Sequence, residues 1–229
     1  MADPGDITDA LVNELAIRLE DPNQAVFTDA VLLLALNRGQ IQVCHYLNNG
    51  YLTELEAVES DLTISGGSYS MATLDSNNGV LKGAEGILAV GFDLSDSGIY
   101  TFATEVDIRN MKRTENTYLA DATTNYLYYI FSNTVYCFWG GGTYANADGQ
   151  IYYLSKPASM TTSVDPEINS GLYEIMLLFS EAICWAMDAK IDRRTKALEE
   201  ALSQCQALNE KYTPATNIGT KGRIEIGAK

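Results

Sequence analysis

With 229 residues, 46% of them hydrophobic and 20% charged, the chain has enough apolar material for one large domain or one domain with a sizeable insertion, which excludes an intrinsically disordered chain. A net charge of −15 argues against free binding to nucleic acid, because neutralising phosphates requires lysine and arginine. The same charge is compatible with a channel through which DNA slides without adhering.

In chain order, Met1–Asp6 shows neither the basic stretch nor the apolar run of a signal peptide. Asp6 is placed to cap a helix over Ile7–Glu20, whose apolar stripe runs Ile7, Leu11, Leu15 and Leu19. Asp21-Pro22-Asn23 ends it, since the residue before a proline avoids the helical region. Thr28 is the expected N-cap of a second helix, Thr28–Leu47, with Asp29 in its first turn, where negative charge suits the helix dipole. Asn48-Asn49-Gly50 is expected to stop that helix in the left-handed conformation that glycine and asparagine tolerate.

From about Tyr51 to Pro157 short β-type runs alternate with turn residues: Ser68–Leu74, Gly86–Phe92, Tyr100–Ile108, Tyr126–Phe131, Thr134–Trp139 and Ile151–Leu154. Ser132-Asn133 reads as a tight hairpin, while Gly66-Gly67, Asn77-Asn78-Gly79, Gly140–Gly142 and Asp148-Gly149 read as loops. The stretch 56–98, rich in Gly, Ser and Asp, carries the weakest pattern of the region. The chain carries 14 Tyr against 6 Phe and 2 Trp, an excess that suits half-wet sheet faces and interfaces.

Asp165-Pro166 is expected to restart helix, with proline in the first turn. Leu172–Met187 is apolar nearly all round; it reads as too short for a bilayer and carries Glu174 and Glu181, so it is expected to be a core helix covered on most sides. After a polar connection, Lys190–Tyr212 shows an amphipathic stripe of Ile191, Leu198, Leu202, Cys205, Leu208 and Tyr212, and Pro214 ends it. The segment 213–229 holds Lys221, Arg223 and Lys229 against Glu225, and its Ile224-Glu225-Ile226 alternation suits adding as a strand or plugging into a partner. Neither helical pair buries its apolar face alone. The expected fold is therefore α+β: a helical core from residues 1–50 with 160–212, an inserted antiparallel β region at 51–159, and an extended tail at 213–229.

The residues offer little for catalysis. The single histidine, His45, adjoins Cys44, but adjacent helical positions point about 100° apart and form no dyad. Cys44, Cys137, Cys184 and Cys205 are scattered without CxxC spacing; Cys44, Cys184 and Cys205 lie in apolar helical context and read as buried free thiols, and no zinc, other metal or cofactor is expected. Gly140–Gly142 lacks the Lys-Ser/Thr of a phosphate loop, and Asp93–Gly98 lacks the distal glutamate of a calcium loop. Glu174 and Glu181 are seven apart, about 10.5 Å along a helix, at the edge of the separation used by glycosidases; the plainer reading is a polar stripe on a buried helix.

Phe27-Thr28-Asp29 followed by a Leu-rich helix reaching Leu36-Asn37-Arg38-Gly39-Gln40 resembles the helix that opens head-to-tail adaptor proteins of tailed bacteriophages, although Gly39 stands where alanine is usual. Ile151-Tyr152-Tyr153 with Leu154-Ser155-Lys156-Pro157 is similar to that family's last strand and its turn toward the closing helices. The resemblance covers roughly residues 5–50 and 125–212. It implies a non-enzymatic virion protein, assembled in the host cytoplasm, that forms a ring of typically twelve copies below the portal and links it to a tail or nozzle protein. Genome DNA would pass through the lumen without sequence-specific contact, and no membrane would be involved. It also implies portal docking through the C-terminal segment, with Lys221, Arg223, Ile224 and Ile226 as contacts. Two other functions are set beside this one: a glycan- or receptor-binding module using the tyrosine-rich sheet, and a cell-wall hydrolase using Glu174 or Glu181.

Overall fold

A computed structural model describes residues 6–74, 79–93, 97–107, 126–139, 143–144 and 147–211. Among these the chain divides into a helical unit from its two ends, 6–55 with 156–211, and a β unit, 56–155. The fold is α+β.

The helical unit contains α1 (Asp6–Arg18), α2 (Asp29–Tyr46), α3 (Tyr173–Met187) and α4 (Ile191–Lys211). Helix α3 is its centre: Ile175, Met176, Leu177, Leu178, Phe179, Ser180, Ala182, Cys184 and Trp185 are all buried. The apolar stretch Ser170–Met187 meets the length and hydropathy of a membrane span, so length alone does not exclude one; 56% of it is nevertheless packed inside this unit. Helix α1 contributes Leu11, Val12, Leu15 and Ala16 to the same core, and α2 contributes Leu32, Ala35, Leu36 and Val43. Helix α4 buries only Ala197, Ala201 and Cys205, an i, i+4, i+8 row of small side chains.

Polar side chains set the helix ends. Helix α1 stops before Glu20, which takes a left-handed conformation (φ 59°). The Asp21 carboxylate then accepts backbone N–H bonds from Ala25, Val26 and Phe27, each 2.8 Å, and so forms the turn into α2. Thr28 has the extended N-cap backbone but makes no side-chain cap bond. The end of α2 differs from the sequence expectation: Leu47 leaves the helix extended (φ −88°), and no residue of Asn48-Asn49-Gly50 is left-handed. Asn209 on α4 supplies the stop, accepting from Asn48 N–H and donating to Tyr46 C=O, both at 2.8 Å. Asp165-Pro166 does not restart helix either. Asp165 instead accepts the Thr8 N–H of α1 at 3.1 Å, and α3 begins only after a 3₁₀ turn whose cap, Asn169, accepts from Gly171 N–H at 2.9 Å.

The β unit has two sheets. In the first, β9 (Ala147–Leu154) is flanked by β1 (Glu56–Ile64) and β3 (Ile87–Asp93), with β4 (Thr101–Phe102) beyond β3. In the second, β7 (Thr134–Trp139) lies between β2 (Ser68–Ser70) and β6 (Tyr126–Phe131); β5 (Thr104–Glu105) pairs parallel with β6, and β8 (Thr143–Tyr144) pairs with β7. Leu62, Ile64, Val90, Phe92 and Ile151 of one sheet and Tyr128, Val135 and Cys137 of the other form one buried core. The β6–β7 hairpin turns through Ser132 (φ 49°) and Asn133 (φ 61°), the paired positive φ of a two-residue turn matched to strand twist. Asp148-Gly149 is not a loop but part of β9, where a Cβ on Gly149 would lie 2.8 Å from Ile64 Cδ1. Glu56 pairs with Leu154, so the first and last strands of the unit bring its two ends side by side.

Gly39 marks a close approach of α2 to α3: an added Cβ would fall 2.2 Å from Ser180 Oγ and 2.7 Å from Met176 O. Elsewhere in a helix, Gly→Ala stabilises by about 1 kcal/mol. Here overpacking reverses the sign, and Gly39→Ala is expected to cost about 1–3 kcal/mol in urea unfolding. Adding Ser180→Ala is expected to recover part of that loss; a Gly39→Ala protein more stable than the parent would contradict the close crossing.

Candidate functional site

The motif residues of α2 bind the segment returning from the β unit. Asn37 donates from Nδ2 to Leu33 O (3.0 Å) and Met160 O (3.1 Å), and its Oδ1 accepts the Met160 N–H at 2.7 Å. Gln40, which is buried, donates to Ala158 O and accepts from Glu167 N–H, both at 3.2 Å. Two amides one turn apart thus satisfy the backbone of a segment without regular structure. Phe27, at the head of the same motif, is buried and packs edge-on against Trp185 with ring centroids 6.5 Å apart. Trp185 in turn lies 4.7 Å beneath the Arg193 guanidinium, which reaches Glu20 at 3.2 Å.

Beside this scaffold α2, α3 and α4 enclose a groove of about 490 Å³. Tyr46, Phe179, Ile183, Met187 and Leu198 line it, with Arg38 and Arg194 among its polar groups. Tyr46 stacks on Phe179 at 5.5 Å and 9°, and is itself 47% exposed. Neither Arg38 nor Arg194 has a carboxylate partner among the described residues.

The residues weighed for chemistry have structural partners. Arg18 donates to Glu174 from Nη1 at 2.9 Å and also holds Glu14, so hydrogen bonding to Arg18 keeps the Glu174 carboxyl below the usual glutamate range. A general acid requires the opposite shift. Glu181 accepts the Trp185 indole N–H at 3.0 Å. All four cysteines are buried and none forms a disulfide; burial pushes the Cys137 and Cys184 thiols up to about 12 and Cys205 to about 11, the reverse of what a nucleophilic thiol needs. His45 is exposed while Cys44 is buried, so the two face apart. Asp93 accepts from Gly98 N–H at 2.7 Å and from Ser97, the behaviour of a turn-forming aspartate. Among the described residues no group of three His, Cys, Asp or Glu is arranged for a metal.

Several tyrosines of the β unit serve its packing: Tyr128, Tyr129 and Tyr153 are buried, and Tyr129 stacks on Tyr136 at 4.8 Å. Gly140–Gly142 and the expected portal contacts Lys221, Arg223, Ile224 and Ile226 lie outside the described residues. The groove and the role of Arg18 were not visible in the sequence, because the groove joins α2 to the two closing helices and Arg18 meets Glu174 across 156 residues of chain. No protein-family model and no curated protein matches this chain.

The Arg18–Glu174 pair gives a pH signature. Its carboxylate has a folded pKa below the ordinary 4.5, so its stabilising effect is complete above that value and is lost as pH falls through the depressed one. Arg18→Met is expected to cost about 0.5–1 kcal/mol at pH 7, the size of a solvent-screened pair. The difference from the parent in thermal melts should shrink below pH 4.5; a difference independent of pH would assign the loss to packing instead.

Proposed function

We propose that this chain is a non-enzymatic structural subunit of a tailed-bacteriophage virion, a head-to-tail adaptor that forms a ring below the portal and extends the DNA channel toward the tail. The observation that carries the reading is the work done by the motif residues. Phe27, Asn37 and Gln40, on which the resemblance rests, tie the two ends of the chain into one helical unit. The pairing of Glu174 with Arg18 and the high pKa of the buried thiols favour a scaffold over a catalyst. An acidic chain suits a channel wall that must not retain DNA. The partners under this reading are the portal, a tail or nozzle protein, and further copies of the chain, about twelve in all, and the protein works without a cofactor.

Portal docking is assigned to 213–229, where Lys221 and Arg223 would meet acidic groups and Ile224 and Ile226 an apolar or strand-edge surface. Co-sedimentation with portal particles tests this. Deleting 213–229 is expected to leave the melting temperature nearly unchanged while abolishing attachment. Reversing the charge of Lys221 and Arg223 should weaken attachment less, and most at low salt, where screening is weakest. Wild-type occupancy by the truncated protein would move the docking surface to the helices.

A further inference from the structure

We propose that the arginine-edged groove of the helical unit receives helix α1 of a second copy of this chain, in a head-to-tail contact. The inference rests on the ring-forming reading above and names the two surfaces that would join neighbouring copies.

The groove presents an apolar floor of Phe179, Ile183, Met187 and Leu198 beside the cations Arg38 and Arg194. Its occupant must therefore offer an apolar side chain flanked by acidic groups. Helix α1 has such a face. Its outward positions Asp6, Asp9, Asn13 and Ile17 are all exposed, and at 100° per residue they fall on one stripe about 80° wide. Ile17 is the large apolar residue of that stripe and is 66% exposed. The inward residues Leu11, Val12, Leu15 and Ala16 hold α1 in its own core, so the stripe is turned away from it.

Charge favours this occupant over the chain's own segment 213–229, whose surplus of Lys and Arg would meet like charge at Arg38 and Arg194. In a chain of net charge −15, most surfaces of two copies repel each other, and a cationic groove is where an acidic helix is drawn. Groove and stripe are different surfaces, so each copy can donate one and fill the other. Such a heterologous contact propagates, and it closes into a ring when the rotation between copies allows.

Disulfide trapping tests the contact on the full chain. The four native cysteines are buried, so the parent provides a low background. Ile17 and Met187 are both well exposed, which keeps Ile17→Cys and Met187→Cys from disturbing the fold. Under mild oxidation at high protein concentration, the double variant is expected to give a ladder of covalent oligomers. An equimolar mixture of the single variants should stop at dimers. Arg38→Glu in the double variant should lower the ladder yield roughly tenfold, as expected for like charges brought together, and a further Asp9→Arg should restore much of it. Native mass spectrometry of the parent at the same concentration separates the two ideas. Oligomers in the parent without a ladder in the double variant would overturn the groove contact and leave the ring reading standing. No oligomers in the parent and no ladder would also overturn the groove contact, and the ring reading would then be decided by mixing the parent with a portal.

Discussion

Helix α3 has almost no polar face, and the rest of the helical unit is arranged around that fact. A helix apolar on nearly all sides must be covered on nearly all sides. The chain does this with pieces from both of its ends: α1 and α2 from the first 50 residues, α4 from the last helical stretch. Covering α3 from two directions brings helices close, and where α2 crosses it there is room only for Gly39 against Ser180. Helix α4 adds a narrow seam of Ala197, Ala201 and Cys205, which leaves the groove beside it open. That incomplete cover is the physical basis for expecting further burial in an assembly.

Joining two chain ends around one helix leaves irregular connecting backbone that needs polar partners. Four side chains provide several of them. Asp21 takes three N–H groups in the turn between α1 and α2, and Asp165 takes one from the first turn of α1. Asn37 and Gln40 serve the returning segment at Ala158, Met160 and Glu167. Buried backbone groups left unpaired would each cost about 1–3 kcal/mol, so these residues matter to the fold more than their number suggests. Within the β unit, β1 and β9 pair from Glu56 and Leu154, which keeps the chain's path out and back adjacent.

The parts legible in the sequence were those with strong local signals. The periodicity of Ile7–Glu20, Thr28–Leu47 and Leu172–Met187 located three helices to within a few residues. Alternation and aromatic content gave β6 and β7 their observed limits, and Ser132-Asn133 marked the turn between them. Strand β1 was missed because Glu56, Glu59 and Asp61 dilute its apolar residues, and an irregularity after Glu59, with Asp61 left-handed, breaks the alternation. Asp148-Gly149 looked like a turn because glycine is the usual turn residue, whereas Gly149 is there to admit the side chain of Ile64. Asp165-Pro166 carried a helix-start signature, yet its carboxylate caps a different helix 157 residues earlier. Long-range uses of this kind leave no local trace, and the same holds for the groove and for Arg18.

Whether this chain builds a ring on a portal decides the proposed function. Electron microscopy of the purified protein mixed with its portal tests that directly. A closed ring, coaxial with the portal and continuing its channel, is expected. Isolated subunits that leave the portal bare, or subunits bound around its outer wall without closing, would contradict it.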